Sequence, residues 1–309
     1  AEKIEHFLRP NLEDLYNPFL LHDMEKAITR ILKAIETNQK ILVYGDYDAD
    51  GMTAASVMKT ALDELGAEVE VYLPNRFTDG YGPNLEVYQY FINNEAIDLI
   101  ITVDNGVAGN EAIAWAQNQG IDVIITDHHA MPDQLPEAYA IVHPEHPEST
   151  YPFKFLAGVG VAFKVACALL EYVPREMLDL VAIGTIADMV SLTDENRILV
   201  AHGLKILAQT ERAGLQELMQ YAGVDFDKVT EETVGFQIAP RLNALGRLDD
   251  PNPAIELLTG WDEDEAHEIA KMIDQKNSER KEIVEEIYQQ AVTMLTGDPV
   301  EVLYHEDWH

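Results

Sequence analysis

The chain has 309 residues, 47% of them hydrophobic, which is enough for one large domain or two ordinary ones with a sizeable core. Its 55 acidic residues against 21 basic ones give a formal net charge of −34, which argues against a nucleic-acid-binding protein of the usual basic kind. One cysteine, no apolar run long enough to span a membrane, and a mixed, charged opening stretch predict a cytoplasmic protein without internal disulfide, membrane span or signal peptide.

Helical and strand patterns alternate through the first half of the chain. Apolar residues between Met24 and Ile35 recur at helical spacing, and the continuous apolar run that ends at Tyr44 predicts a strand buried on both faces. The same patterns then predict helices at 51–66, 83–94 and 110–119, and strands at 67–74, 98–104, 122–127 and 138–144. Such alternation is typical of an α/β fold with a doubly wound parallel sheet, in which right-handed crossovers place helices on both faces.

Helical patterns alone fill the chain after about residue 155. They predict helices at 159–173, 175–190, 197–210 and 215–223, and a long, charged helix at 262–295 whose polarity indicates a solvated connector. We expect one unit over 1–260, with an α/β core at about 20–150 and a helical section at about 155–260, and then a connector helix over 261–296. The stretch "VEVLY" at 300–304 predicts a strand, with which a further domain beginning at 297–309 would open.

Acidic residues follow three of the predicted strands, at the point where each strand ends. One strand runs into three aspartates, another into one aspartate, and a third into an aspartate and two histidines: Asp46, Asp48, Asp50, Asp104, Asp127, His128 and His129. A single aspartate at such a place is usually a helix cap or a turn residue. Because ligands of open parallel sheets bind at the carboxyl ends of the strands, this whole set would meet there and repel itself unless a cation lay among the carboxylates.

The mixture of side chains limits the choice of metal. Several carboxylates with one or two imidazoles suit Mn²⁺ or Mg²⁺, and the lack of thiolates argues against a structural zinc site. The carboxylates outnumber the ligands that one ion needs, so we expect two ions bridged by a shared aspartate. Bridged ions activate water and neutralise phosphoryl charge, which makes phosphoester hydrolysis the leading hypothesis.

Several short motifs carry a family resemblance. The stretches "GDYDADG", "TVDNG", "TDHH" and "GTIADMV" resemble the four motifs of the DHH phosphoesterase superfamily. The stretches "LPNRFTDGYG", "LAGVGVAFK", "APRLNALGRLDD" and "HEDWH" are similar to those of its RecJ-type exonucleases. This resemblance implies a DHH catalytic domain over 1–260, a linking helix over 261–296 and a truncated DHHA1 domain that starts at 297–309. It also implies 5′→3′ hydrolysis of single-stranded DNA with Mn²⁺ or Mg²⁺, in DNA repair and recombination.

The resemblance also implies roles for particular residues. The metal ligands would be Asp46, Asp48, Asp50, Asp104, His128 and Asp188. Asp104 would bridge the two ions, and His129 would act beside it as a ligand supporter or as a catalytic acid. The chain departs from the superfamily at Tyr44, where many members have a metal-binding histidine, so this residue puts the binding of the first ion in question.

The resemblance further places two basic segments near the active cleft. The implied substrate-binding residues are Arg76, Asn105, Arg241, Asn243 and Arg247. The alternative for each arginine is a surface or ion-paired side chain. The implied partners are single-stranded DNA and a single-stranded-DNA-binding protein or helicase. Two other functions stay open, a DHH-family phosphodiesterase on short oligonucleotides or cyclic dinucleotides, and an inactive scaffold of the same fold.

Overall fold

A single five-stranded parallel sheet organises the first half of the molecule. The computed structural model describes residues 7–308. The strands are β1 (Lys40–Tyr44), β2 (Glu68–Tyr72), β3 (Leu99–Val103), β4 (Asp122–Thr126) and β5 (Ala140–Val142), and they lie in the order β2-β1-β3-β4-β5. The order reverses between β1 and β3, and such a switch point is where open α/β sheets bind ligands.

Helices surround this sheet and continue beyond it. They are α1 (Met24–Glu36), α2 (Ala49–Glu64), α3 (Leu85–Asn94), α4 (Asn110–Asn118), α5 (Gly158–Leu170), α6 (Leu178–Ala187), α7 (Asp194–Leu207), α8 (Ala213–Tyr221), α9 (Glu231–Thr233), α10 (Ala239–Leu248), α11 (Pro253–Thr259) and α12 (Glu263–Met294). Short 3₁₀ turns occur at Leu12–Asp14, Pro18–Leu20, Arg175–Met177 and Phe226–Lys228, and a π-helical turn at Val234–Ile238 joins α9 to α10.

Alternate residues of each central strand enter two different cores. In β1, Ile41 and Val43 pack with α1, α2 and α5, while Leu42 and Tyr44 pack with α3 and α4 on the other face. Both faces are therefore buried, which explains why the sequence of this strand is continuously apolar. The doubly wound parallel sheet predicted from the sequence is confirmed.

The helical section packs against the sheet through α2, α5 and α6. Helix α6 is buried along nearly its whole length, since α2 and α5 cover one side and α7 covers another. The buried residues of α12 lie between Ala266 and Asn277, where the helix contacts α8, α10 and α11, and its later turns are exposed. No helix of the described part of the chain combines the length and apolarity that a membrane crossing requires.

Three local predictions need correction. Helix α2 begins at Ala49, two residues earlier than expected, because the Asp48 side chain caps it by accepting the Gly51 N–H at 2.9 Å. Helix α3 begins after its cap Asn84, so Pro83 precedes the helix. The expected strand at 300–304 is wrong: the segment is exposed and forms no ladder with any described strand, and a strand without a hydrogen-bonded neighbour is not stable in water. His309, the last residue of "HEDWH", lies outside the described residues.

Candidate metal centre and substrate cleft

The turn after β1 carries the first three aspartates and is very tightly packed. Asp48 lies in the turn as the cap of α2, and Asp50 falls in the first turn of that helix. A Cβ added to Gly51 would lie 2.5 Å from the Cβ of Asp46, so only glycine fits at this position. The compact turn therefore brings Asp46, Asp48 and Asp50 to one edge of the sheet.

Asp104 occupies the end of β3 with a left-handed backbone, its φ angle being 60°. The neighbouring Asn105 fixes this turn, since its Nδ2 donates to the carbonyl oxygens of Tyr44, Gly45 and Val103 at 3.3, 2.8 and 2.9 Å. These bonds tie the end of β1 to the end of β3. A strained φ held by such a network is typical of functional sites.

Asp127 holds the two histidines that follow β4. Its Oδ1 accepts the backbone N–H groups of His128 and His129 at 2.7 and 3.1 Å, and it lies 2.7 Å from the Nδ1 of His129. Its Oδ2 accepts the Val107 N–H at 3.0 Å. Burial alone would raise the pKa of Asp127, but the hydrogen bonds and the charge of His129 outweigh it and lower this pKa.

Two helices of the helical section close the site from the other side. The N-terminus of α5 donates to Asp50, from Gly158 N at 2.7 Å and from Val159 N at 2.8 Å. Asp188 lies just past the end of α6. A Cβ on Gly158 would lie 2.3 Å from Asp104 Oδ1, so the N-terminus of α5 is pressed directly against the acidic cluster.

The side chains brought together form overlapping groups that could each hold a cation. Ligand atoms lie within 4.8 Å of one another in each of three groups: Asp46, Asp48 and Asp104; Asp50, His128 and Asp188; and Asp104, His128 and His129. His128 Nε2 lies 3.1 Å from Asp104 Oδ1 and 3.7 Å from oxygens of Asp50 and Asp188. Asp104 Oδ1 and His128 Nε2 are buried and make no hydrogen bond within the described residues. Two orphaned acceptor atoms facing each other fit a shared divalent cation.

The pKa values of these groups show that burying the ionised carboxylates together is unfavourable without a cation. Burial, followed by the charge of Asp48, raises the pKa of Asp46 to about 7, and burial raises the pKa of Asp188 to about 6. Burial and neighbouring carboxylates raise the pKa values of Asp50 and Asp104 well above their usual range. Burial lowers the pKa of His128 to about 4, which keeps its imidazole neutral and able to bind metal.

The five predicted substrate residues fall into two groups. Arg76 and Arg247 are exposed, and both of their charges act on Tyr47, whose ring centroid lies 5.8 Å from Arg76 Cζ. Arg241 instead pairs with Asp274 at 2.9 Å and donates to the Gln237 carbonyl at 2.7 Å.

The two asparagines make contacts within the protein. Asn243 accepts the Ala49 N–H at 2.8 Å, and Asn105 joins the ends of β1 and β3 through its amide nitrogen. Of the three predicted arginines, Arg76 and Arg247 have no ion-pair partner in the described part of the chain, whereas Arg241 has one.

The locations of two tyrosines could not be predicted from the sequence. Tyr44 lies on the opposite face of the sheet, where it packs with Tyr72 and Tyr88 and donates to the Gly82 carbonyl at 2.9 Å. It takes no part in the acidic cluster. Tyr81 contacts His129 edge-on, with ring centroids 5.5 Å apart. Gly80 and Gly82 flank Tyr81, and both have a positive φ angle. These two glycines were the sequence signal that the loop carrying Tyr81 turns sharply at this point.

Comparison with known proteins agrees with this architecture. The family model for the DHH family, N-terminal domain, matches residues 40–185, the segment that contains the sheet and α5. The parallel sheet with aspartates at three strand ends, closed by a further aspartate from the helical section, thus defines a DHH-family protein.

Individual relatives show which group of DHH-family proteins this chain resembles. The single-stranded-DNA-specific exonuclease RecJ of Bacillus subtilis (strain 168) is 50% identical over 295 residues, 96% of this chain and 37% of the relative. A crystal structure of exonuclease RecJ bound to manganese has a TM-score of 0.83 at 33% identity, covering 92% of this chain and 71% of that chain. A crystal structure of RecJ in complex with Mg²⁺ from Thermus thermophilus has a TM-score of 0.72 at 29% identity, covering 96% and 39%. The chain belongs to the RecJ exonuclease family, and it spans less than half of the Bacillus relative.

Proposed function

We propose that this chain carries the catalytic centre of a single-strand-specific 5′→3′ DNA exonuclease that hydrolyses phosphodiester bonds with two divalent cations. The observation that carries the proposal is the pair of orphaned atoms, Asp104 Oδ1 and His128 Nε2, at the centre of three overlapping ligand groups. The relatives named as single-stranded-DNA-specific exonucleases support the substrate, and those with bound manganese or Mg²⁺ support the metal.

The proposed ligands divide between two ions. Asp46, Asp48 and Asp104 would hold one, while Asp50, Asp104, His128 and Asp188 would hold the other, so that Asp104 is shared. Cations at these places supply Lewis acidity toward phosphoryl oxygens and lower the pKa of water. The buried carboxylates then stay ionised, because each negative charge gains a positive neighbour.

We propose that other residues of the site orient the substrate and transfer a proton. Asp127 orients the His129 ring through its contact with Nδ1. Burial alone would lower the pKa of His129, but the hydrogen bond to Asp127 and the charge of Asp127 outweigh burial and raise this pKa. We propose that His129, so oriented, protonates the leaving oxygen as general acid. Arg76 and Arg247, which have no carboxylate partner within the described residues, would hold the phosphates of the strand. This local pair of cations allows strand binding despite the acidic surface.

The domain organisation and setting of the protein belong to the same proposal. The DHH catalytic domain would extend over 1–260 and the connector over 261–296, with a DHHA1 domain beginning at 297–309. A helicase, which unwinds the duplex, or a single-stranded-DNA-binding protein, which holds the unwound strand, would supply the substrate in the cytoplasm. Co-purification of the tagged protein from gently lysed cells, with and without nuclease treatment, tests whether such a partner binds directly.

Hydrolysis of a strand labelled at its 5′ end tests the function. With Mn²⁺ we expect early release of labelled mononucleotide from single-stranded DNA, little release from a blunt duplex, and none in chelator. Faster hydrolysis of pApA or of a cyclic dinucleotide than of the long strand would favour the short-substrate phosphodiesterase. Absence of hydrolysis on all of these substrates, with Mn²⁺ bound, would favour the inactive scaffold.

A further inference from the structure

Helix α5 contains a buried lysine that lies outside the acidic cluster. Lys164 is 1% exposed, and its ammonium group pairs at 2.5 Å with Glu195 of α7, which is fully buried. A buried ion pair is weak evidence for stability, because removing two charges from water offsets much of their attraction. Its presence in an otherwise apolar helix therefore suggests a role other than stabilising the fold.

Further hydrogen bonds hold the two side chains of this ion pair in one position. Lys164 Nζ also donates to the Tyr16 carbonyl at 2.9 Å, and Glu195 Oε1 accepts the Tyr16 N–H at 2.9 Å. Glu195 Oε2 accepts a hydrogen bond from the Tyr151 hydroxyl. Charge-assisted hydrogen bonds are directional, whereas the apolar contacts of α5 are not, so this network sets the position of α5 along its own axis.

The first turn of the same helix orients a proposed metal ligand. Gly158 N donates to Asp50 Oδ2 at 2.7 Å and Val159 N donates to Asp50 Oδ1 at 2.8 Å, so α5 holds both carboxylate oxygens. The contact has no slack, because a Cβ on Gly158 would lie 2.3 Å from Asp104 Oδ1. Lys164 lies further along the same helix, about 9 Å from Gly158 at a rise of about 1.5 Å per residue. A shift of α5 along its axis therefore displaces the two donors of Asp50.

We propose that Lys164 is a positioning residue of the metal centre, which acts through α5 on Asp50. The ion concerned is the one that Asp50 would share with His128 and Asp188. This inference rests on the proposed two-ion function and adds to it a residue that contacts neither metal nor substrate. The segment before α1 belongs to the same network, since Tyr16 supplies one backbone donor and one backbone acceptor.

Calorimetric titration with Mn²⁺ tests this role without relying on hydrolysis. Lys164→Met removes the ammonium group at a similar side-chain length. We expect Mn²⁺ to bind about tenfold more weakly at one of the two sites, the lower end of the range for groups that orient a metal ligand. The double variant Lys164→Met/Glu195→Gln leaves no unpaired buried carboxylate, so it should fold even if the single variant does not. It should show the same loss of affinity, because no ammonium group holds α5 in either variant.

A double-mutant cycle separates positioning from simple destabilisation. Asp50→Ala removes the group through which Lys164 would act, so adding Lys164→Met to Asp50→Ala should leave the remaining Mn²⁺ affinity unchanged. The melting temperature should fall with Lys164→Met in both backgrounds. The matched control is Arg30→Met, which breaks the ion pair of another buried cation with Asp122 at 2.6 Å, at the start of β4 and so at the opposite edge of the sheet. It should lower the melting temperature and leave Mn²⁺ binding unchanged.

The outcomes separate this inference from the function on which it rests. If the Lys164 variants bind Mn²⁺ as the unaltered protein does, the positioning role is wrong and the exonuclease proposal stands. If Arg30→Met weakens Mn²⁺ binding equally, or Lys164→Met weakens it equally with and without Asp50, the effect is general destabilisation and the role is also wrong. If only the Lys164 variants lose affinity, and only with Asp50 present, while the unaltered protein hydrolyses no strand, the positioning role stands and the exonuclease proposal fails. Thermal melting confirms that each variant is folded.

Discussion

Gly246 of α10 faces the carbonyl oxygen of Tyr47 so closely that a Cβ at residue 246 would lie 1.8 Å from that oxygen. Tyr47 lies between Asp46 and Asp48, and Asn243 on the same helix accepts the Ala49 N–H. Helix α10 therefore braces the acidic turn from behind, nearly two hundred residues away in sequence. The "APRLNALGRL" segment shapes the metal centre through this contact as well as through any contact with substrate.

This contact predicts that Gly246→Ala disturbs the metal centre. The added methyl group forces α10 and the turn apart, which should cost about 1–3 kcal/mol of unfolding free energy and weaken Mn²⁺ binding. Calorimetric Mn²⁺ titration and thermal melting measure both effects. The matched control is Gly235→Ala in the neighbouring π-helical turn, where a Cβ would meet only Ile186 at 3.9 Å among the described residues. Unchanged Mn²⁺ affinity in Gly246→Ala would contradict the bracing role.

The central position of Asp104 predicts opposite effects on activity and stability. We choose Asp104→Asn because asparagine accepts the left-handed backbone at this position, whereas alanine would be strained there. Loss of the shared carboxylate should reduce Mn²⁺-dependent hydrolysis at least about 100-fold, more than most losses of a group that merely supports a ligand. The metal-free variant should be more stable, because a neutral amide replaces a buried carboxyl group whose pKa is raised by burial and by the neighbouring carboxylates. Full hydrolytic activity in Asp104→Asn would overturn the two-ion proposal.

The raised carboxyl pKa values predict an unusual pH dependence for the metal-free protein. Burial raises the pKa of Asp46 to about 7 and that of Asp188 to about 6, above the values these groups have in the unfolded chain. These two groups then bind more protons in the folded state than in the unfolded state, so their contribution to stability is greatest at low pH and is lost as pH rises through these values. Urea unfolding in chelator between about pH 5 and pH 8 should show this decline.

Two comparisons isolate the cluster from the general acidity of the chain. Saturating Mn²⁺ should remove most of the decline, because the cations hold the carboxylates ionised. Asp104→Asn in chelator should show a shallower decline, although the rest of its charge is unchanged. The same slope in all three samples would assign the effect to the overall charge.

The arginines of the cleft should differ in their effects on binding. Arg76 and Arg247 have no acidic partner among residues 7–308, so replacing either with alanine should weaken single-strand binding and reduce the salt dependence by about one unit each. Arg241 pairs with Asp274 on α12, so Arg241→Ala should lower the melting temperature and leave the salt dependence nearly unchanged. Fluorescence anisotropy with a single-stranded oligonucleotide, over a series of salt concentrations, measures the slopes. If the salt dependence of binding has the same slope in Arg247→Ala and in the unaltered protein, Arg247 is a surface arginine that does not contact phosphate.

The fold class and most of the acidic cluster could be predicted from local sequence patterns. Strand period and helical period differ, so the alternation that ends at residue 142 was visible without coordinates. Parallel strands end at one edge of a sheet, so aspartates after three strands had to lie near one another. Asp188 was found only through its motif, since it lies in the helical section and no strand pattern points to it.

The roles of the remaining residues depend on contacts between distant elements, which local patterns do not specify. Arginines near a cleft look alike in sequence, but whether an acidic partner such as Asp274 lies within reach of Arg241 depends on the packing of α12 against α10. Three other contacts likewise join segments that are far apart in sequence. Tyr44 donates to the Gly82 carbonyl, Gly246 lies against Tyr47, and Asn196 donates to the Phe155 carbonyl. Local patterns specify elements because neighbours along the chain share their geometry, whereas contacts between elements arise only when the whole core packs.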